Sequence, residues 1–218
     1  MTSIPMLLCL LLMMFSVVPD EKFTNGSTLE AREVNTLVRK GDVAQWAVGF
    51  GNVENEGFDE ELEYQTILTY INTLYTKINF QDATLISRSV VNYSKEQSLD
   101  PKLVAAVIAK ESAFNKSAVS ASGAKGLGQI LDPKSFNLQD PFDIKENASV
   151  TVSYLKRLLS VWKDKTEQVV LALASYYQGP TAIRKKNGEL DADSRAYVSG
   201  ILKHYNDLRS LRQTLQAK

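Results

Sequence analysis

The chain has 218 residues, with 25 Lys and Arg balanced by 25 Asp and Glu. That length suits one domain with a sizeable core, and the balance lacks the basic excess that nucleic acid or an anionic membrane surface selects. One cysteine, Cys9, and one histidine, His204, cannot supply a structural zinc site, a disulfide frame or a Cys/His nucleophilic pair, so metal, thiol and serine-histidine chemistries are disfavoured.

Residues 6–18, MLLCLLLMMFSVV, form an unbroken apolar stretch close in length to the core of a secretory signal and short for a membrane span. Residues 1–19 are therefore expected to be a signal peptide or an N-terminal anchor. The anchor stays open because MTSIP carries no Lys or Arg and no small-residue cleavage site follows Val18. Cys9 stands too early in the run for a lipid-attachment cysteine. Residues 20–59 are polar and broken by glycines, and read as a linker with room for one short helix.

Residues 60–79 place Leu62, Ile67, Ile71, Leu74 and Ile78 near helical spacing, which predicts an additional amphipathic helix within 60–80. The rest of the chain, 81–218, reads as the main domain. Helices are expected over 82–97, 100–114, 145–162, 166–178 and 194–218. The second has the clearest start: Asp100 can cap, Pro101 suits the first helical position, and Leu99 with Val104 fit a hydrophobic staple. Gly179 and Pro180 should stop the helix before them. No stretch alternates like a strand and no internal repeat is present, so the class is mainly α.

Within 100–114, Val104, Val107, Ile108 and Glu111 sit at i, i+3, i+4 and i+7, so Glu111 continues the apolar stripe. Its i±3 and i±4 neighbours are Val107, Ile108, Phe114 and Asn115, and none is basic. A carboxyl group held against apolar walls stays protonated nearer neutral pH, as a general acid requires. The alternative from spacing alone is a frayed helix end with the carboxylate in water. Residues 118–130, with Gly123, Gly126 and Gly128, suggest a tight loop of close backbone approach without the Gly-Lys-Ser/Thr ending of a phosphate loop. There Ser120 and Gln129 can bind a neutral polar ligand such as a sugar or satisfy the loop's own backbone.

Together these residues resemble the catalytic domain of soluble lytic transglycosylases, a fold similar to goose-type lysozyme. The resemblance begins with Glu111-Ser112 and Phe114. It continues through Ala118, Ser120, Gly123, Ala124, Gly126, Leu127, Gln129 and Ile130, which match A-x-S-x-x-G-A-x-G-L-x-Q-I. Later matches are Asn147, Tyr154-Leu155, Ala174, Tyr176, Gly179-Pro180, Arg195 and Tyr197-Val198. It implies a lysozyme-like α-helical domain with a glycan-binding groove. It also implies Glu111 as catalytic acid and then base, Tyr197 hydrogen-bonded to it, and Ser120, Gln129, Tyr176, Gly126 and Leu127 at the glycan. Core packing is the other reading of Tyr176 and Tyr197, since each falls on an apolar helical stripe.

The chain departs from the family at several places. Ala-Tyr-Asn-Ala-Gly becomes Ser175-Tyr176-Tyr177-Gln178-Gly179, Thr151 stands where glycine is usual, and Gly128 replaces a common methionine. Tyr177 bears on groove width or substrate choice.

The implied reaction cleaves the β-1,4 bond between N-acetylmuramic acid and N-acetylglucosamine and closes a 1,6-anhydro ring, with neither metal nor organic cofactor. The partners implied are peptidoglycan glycan strands in the cell envelope, with export to the periplasm or attachment through residues 6–18. Two rivals remain: a goose-type hydrolytic muramidase, whose second acid would come from Asp140, Asp143 or Glu146, and a non-catalytic peptidoglycan-binding protein of the envelope. Helix capping is the alternative role for those three acids.

Overall fold

A computed structural model describes residues 58–217. The apolar segment 1–19 and nearly all of the linker 20–59 lie outside the described residues. Among those described there are seven α-helices, one 3-10 turn and no strand: α1 (Glu60–Leu74), α2 (Phe80–Glu96), α3 (Pro101–Ser112), the 3-10 turn (Pro133–Phe136), α4 (Ile144–Val161), α5 (Gln168–Gln178), α6 (Pro180–Lys185) and α7 (Ala192–Gln216). None of these helices is long and apolar enough to cross a membrane.

Most boundaries follow from side chains that cap orphan amides. Asp59, Asn79, Asp100, Asp143 and Asp191 each accept a hydrogen bond from a backbone N–H in the first turn of α1, α2, α3, α4 and α7. Asn79 also explains why the first helix does not run on to residue 79. The chain leaves helical geometry at Tyr75, so that Asn79 can be extended and cap α2. Leu74 is consequently exposed instead of buried, and Ile78 lies in the connection. At the other break, Gly179 takes φ +82° and Pro180 immediately opens the six-residue α6, a helix the sequence reading did not contain.

The central helix is α3, in which every residue from Pro101 to Ala109 is buried. It packs against α1, α2, α4 and α7. Leu99 and Val104, the expected staple, both lie in the core. Helix α1 is bound to this framework by more than Ile67 and Ile71, which are fully buried. Its Glu63, 2 % exposed, receives Lys102 Nζ of α3 at 3.0 and 3.1 Å and Arg212 Nε of α7 at 2.6 Å. Beside it, Tyr205 Oη donates to Asp100 Oδ2 at 2.7 Å. Charges taken this far from water hold only while every partner is present.

Candidate active site

Glu111 stands in the last turn of α3, above the fully buried Val104, Val107 and Ile108. The chain then reverses sharply, since Ala113 at φ +50° and Phe114 at φ +60° are both left-handed. Two such non-glycine residues in succession are strained, and the burial of Phe114 offsets that strain. Its ring is fully buried and edge-on to Tyr75 at 4.9 Å and Tyr70 at 6.4 Å. The turn leaves Glu111 half-buried at the end of the core, neither sealed within it nor splayed into solvent.

The carboxyl group accepts a hydrogen bond at Oε1 from Tyr197 Oη of α7. Burial pushes its pKa from 4.5 up to about 7, against the opposing effects of the Tyr197 hydrogen bond and the Lys110 charge. Near neutral pH it therefore divides between acid and carboxylate. Burial, with the Glu111 charge next in importance, also holds the phenols of Tyr197 and Tyr176 well above the ordinary tyrosine value, so both remain donors.

The two phenols that feel the Glu111 charge, Tyr176 and Tyr197, each pack against further aromatic rings. Tyr176, next to the end of α5, lies 5.0 Å from Tyr154 of α4, which meets Phe136 of the 3-10 turn at 5.3 Å. Tyr177 stacks on Tyr197 with ring centroids 4.7 Å apart and planes 15° apart. Lys110 Nζ lies 6.0 Å from the same Tyr197 ring. Tyr197 thus packs and hydrogen-bonds at once, combining both readings of its position on an apolar stripe.

The 118–130 segment is the tight loop its glycines suggest, with isolated bridges pairing Lys125 to Val119 and Ile130. Ser120 Oγ accepts from Ala124 N at 3.0 Å and bonds Ser122 Oγ at 2.9 Å. Gln129, itself at φ +50°, donates through Nε2 to Ala118 O at 3.1 Å and Gly126 O at 2.9 Å. Of their two readings, both side chains serve the loop's own structure. Gly126 is required by φ +73° and because a Cβ there would overlap Pro141 O and the Asn147 amide. Leu127 is fully buried in the core, so its side chain anchors the loop from beneath.

Two residues outside the expected set hold this loop against α4. Asn147, fully buried, accepts from Gly128 N at 2.8 Å and donates to Pro141 O at 2.8 Å and Lys125 O at 3.2 Å. The signal was a polar residue on the buried face between Ile144 and Thr151. Thr151 explains Gly128, because a Cβ at position 128 would overlap Thr151 Oγ1. Gly128 and Thr151 are therefore complementary, with the side-chain bulk on the helix and none on the loop. Tyr176 seals the contact by donating to Gly128 O at 2.7 Å.

The three acids considered as a second carboxyl are committed to local backbone. Asp143 caps α4, Glu146 Oε2 accepts from Gln139 N at 2.9 Å and Asp140 N at 3.1 Å, and Asp140 Oδ1 accepts from Phe142 N at 2.9 Å. Among the described residues no group of three or more His, Cys, Asp or Glu is placed to hold a metal ion.

Known proteins resemble this chain in the same region. It is 28% identical over 166 residues to a membrane-bound lytic murein transglycosylase F of Desulfosudis oleivorans, covering 67% of this chain and 36% of the relative. It is 28% identical over 205 residues to the protein of that name from Vibrio cholerae, covering 85% and 38%. The chain thus spans less than two fifths of the length of these relatives. Its fold resembles a crystal structure of an inactive mutant of lytic transglycosylase Slt from Pseudomonas aeruginosa, with a TM-score of 0.51 at 21% identity, over 88% of this chain and 38% of that one. The profile described as Transglycosylase SLT domain matches residues 89–198, half of the chain and the stretch from α2 into α7 in which Glu111, Tyr176, Tyr177 and Tyr197 lie. The chain belongs to the transglycosylase SLT domain family.

Proposed function

We propose that this protein is a peptidoglycan lytic transglycosylase. The observation that carries the reading is Glu111: among the described residues, a carboxyl group hydrogen-bonded to a phenol and not to a cation, with its pKa raised by burial to about 7. General acid catalysis works best with such a poised group.

In the proposed reaction, Glu111 gives its proton to the glycosidic oxygen joining N-acetylmuramic acid to N-acetylglucosamine. The C1–O bond breaks and N-acetylglucosamine leaves with a free 4-hydroxyl. The substrate's own N-acetyl group supports the positive charge at C1. Glu111, now a carboxylate, removes the proton of the muramic C6 hydroxyl, whose oxygen bonds to C1 and closes the 1,6-anhydro ring. No water is consumed and the acid is restored. Tyr197 occupies Oε1, which leaves Oε2 to carry the travelling proton. Tyr176 and the backbone from Gly126 to Gln129 form the adjoining wall for the glycan, while Ser120, Gln129 and buried Leu127 keep that wall in shape.

Hydrolysis by a goose-type mechanism would need a second carboxyl to position water. The engagement of Asp140, Asp143 and Glu146 with their own backbone argues against it. A silent glycan-binding role rests on the departures at Tyr177 and Gln178, and the hydrogen bond between Tyr197 and Glu111 argues against it. The substrate puts the protein in the cell envelope, reached through residues 6–18 as a signal or an anchor.

Digestion of purified sacculi, with chromatography and mass spectrometry of the products, tests the reading. Wild-type protein should release fragments ending in 1,6-anhydromuramic acid, and Glu111→Gln should release none while still binding sacculi. Reducing ends from the wild type, or equal clearance by the variant, would overturn it.

A further inference from the structure

We infer that Tyr177 is a positioning residue: its ring, stacked on Tyr197, fixes the phenol that holds Glu111. The inference rests on the reading of Glu111 given above and adds a residue that acts through Tyr197.

The geometry comes from the end of α5, where three consecutive side chains reach three different parts of the site. Tyr176 bonds the loop at Gly128. Tyr177 lies flat on Tyr197 at 4.7 Å. Gln178 Nε2 donates to both oxygens of Asp191 at 3.2 and 2.9 Å, and Asp191 caps α7 through Ser194 N at 2.9 Å. Lys186 closes this cluster, 2.6 Å from Asp191 Oδ2 and 3.0 Å from Gln178 Oε1. Residues 177 and 178 therefore grip α7 at its cap and at Tyr197, within its first two turns.

A tyrosine that must keep its hydroxyl on one carboxyl oxygen can still swing about its side-chain torsions. A parallel ring removes that freedom by defining the plane of the phenol. An asparagine or alanine at position 177 offers no such plane. Misplacing a proton-transfer partner by about 1 Å is enough to lower turnover by roughly a hundredfold, so a small angular restraint has a measurable effect.

The experiment compares Tyr177→Ala, Tyr177→Phe, Tyr197→Phe and the double variant Tyr177→Ala/Tyr197→Phe on a soluble tetrasaccharide of alternating N-acetylglucosamine and N-acetylmuramic acid. Tyr177→Ala should lower kcat roughly tenfold or more with KM nearly unchanged, and Tyr177→Phe should recover most of it. In the Tyr197→Phe background the alanine change should add little, because the residue it acts through is already lost. Titration of the Glu111 carboxyl by carbon-13 NMR supplies a readout that needs no turnover. Its midpoint should move in Tyr177→Ala and stay in Tyr177→Phe. Should alanine unfold the domain, Tyr177→Leu keeps apolar bulk without a flat face and carries the same expectations. Multiplying losses in the double variant, a rise in KM alone, or an unmoved Glu111 midpoint would overturn the inference. A wild type that yields no anhydro product while the midpoint still shifts would instead sink the reading of the reaction and leave the positioning intact.

Discussion

Helices α1 and α3 each carry a glutamate turned into the protein, and the two have opposite surroundings. Glu63 is ringed by Lys102 and Arg212 and is 2 % exposed. Glu111 has a phenol for its hydrogen-bond partner, aromatic neighbours and a residual opening to solvent. The first arrangement binds three helices together through one side chain. The second makes ionisation reversible near neutral pH. Burial alone therefore does not mark a reactive acid; burial without a cation does.

Neutralising each acid in turn should separate the two roles. Glu111→Gln is expected to reduce turnover by about 10²–10⁴-fold or more, the usual worth of a general acid, while thermal unfolding shows an intact domain. Glu63→Gln should do the reverse: it removes the carboxylate that two buried cations, Lys102 and Arg212, share and should cost about 3–5 kcal/mol in urea unfolding, with kcat per folded molecule kept. If Glu63→Gln abolished turnover in fully folded protein, the distinction would collapse.

A smaller effect is expected where the loop meets α4. Gly128→Ala should destabilise by about 1–3 kcal/mol through overlap with Thr151 Oγ1 and Tyr176 Oη, and Thr151→Gly in the same chain should restore part of it. Additive losses would show that the two positions are not coupled.

The mildest test uses pH. Turnover should fall as pH rises through about 7, where Glu111 loses its proton. Tyr197→Phe removes a hydrogen bond that favours the ionised form, so this descending limb should move to higher pH. Stability should follow the same group. Because the folded pKa is raised above 4.5, the native state binds the proton more tightly than the unfolded chain, and stability declines from about pH 4.5 to about 7. Glu111→Gln should flatten that decline, read as a gain in melting temperature at pH 8. An unchanged pH dependence in this variant would count against the raised pKa.

Much of α3 could be read from the sequence because its signals are local. Asp100, Pro101 and the i, i+3, i+4, i+7 stripe lie within three turns, and together they turn Glu111 inward. The mainly α class followed from the same periodicities. The Tyr197 contact came only from the resemblance, since nothing local joins residues 86 apart. Glu63 with Arg212, and Tyr177 with Tyr197, were equally out of reach: both depend on how helices pack. Ser120 and Gln129 remained ambiguous because a hydroxyl or amide in a loop serves backbone and ligand alike until the loop's own amides are traced. The end of α1 was missed because apolar spacing continued to Ile78 while Asn79 was needed as a cap.

The left-handed turn behind Glu111 bears on where the functional unit begins. Phe114, which makes that turn tolerable, rests on Tyr70 and Tyr75 from α1 and its exit, upstream of the family match. A fragment trimmed to 89–198 would cut α2 and α7 within their helices and leave Phe114 without the rings that receive it. The smallest polypeptide able to keep Glu111 in place should therefore begin no later than α1.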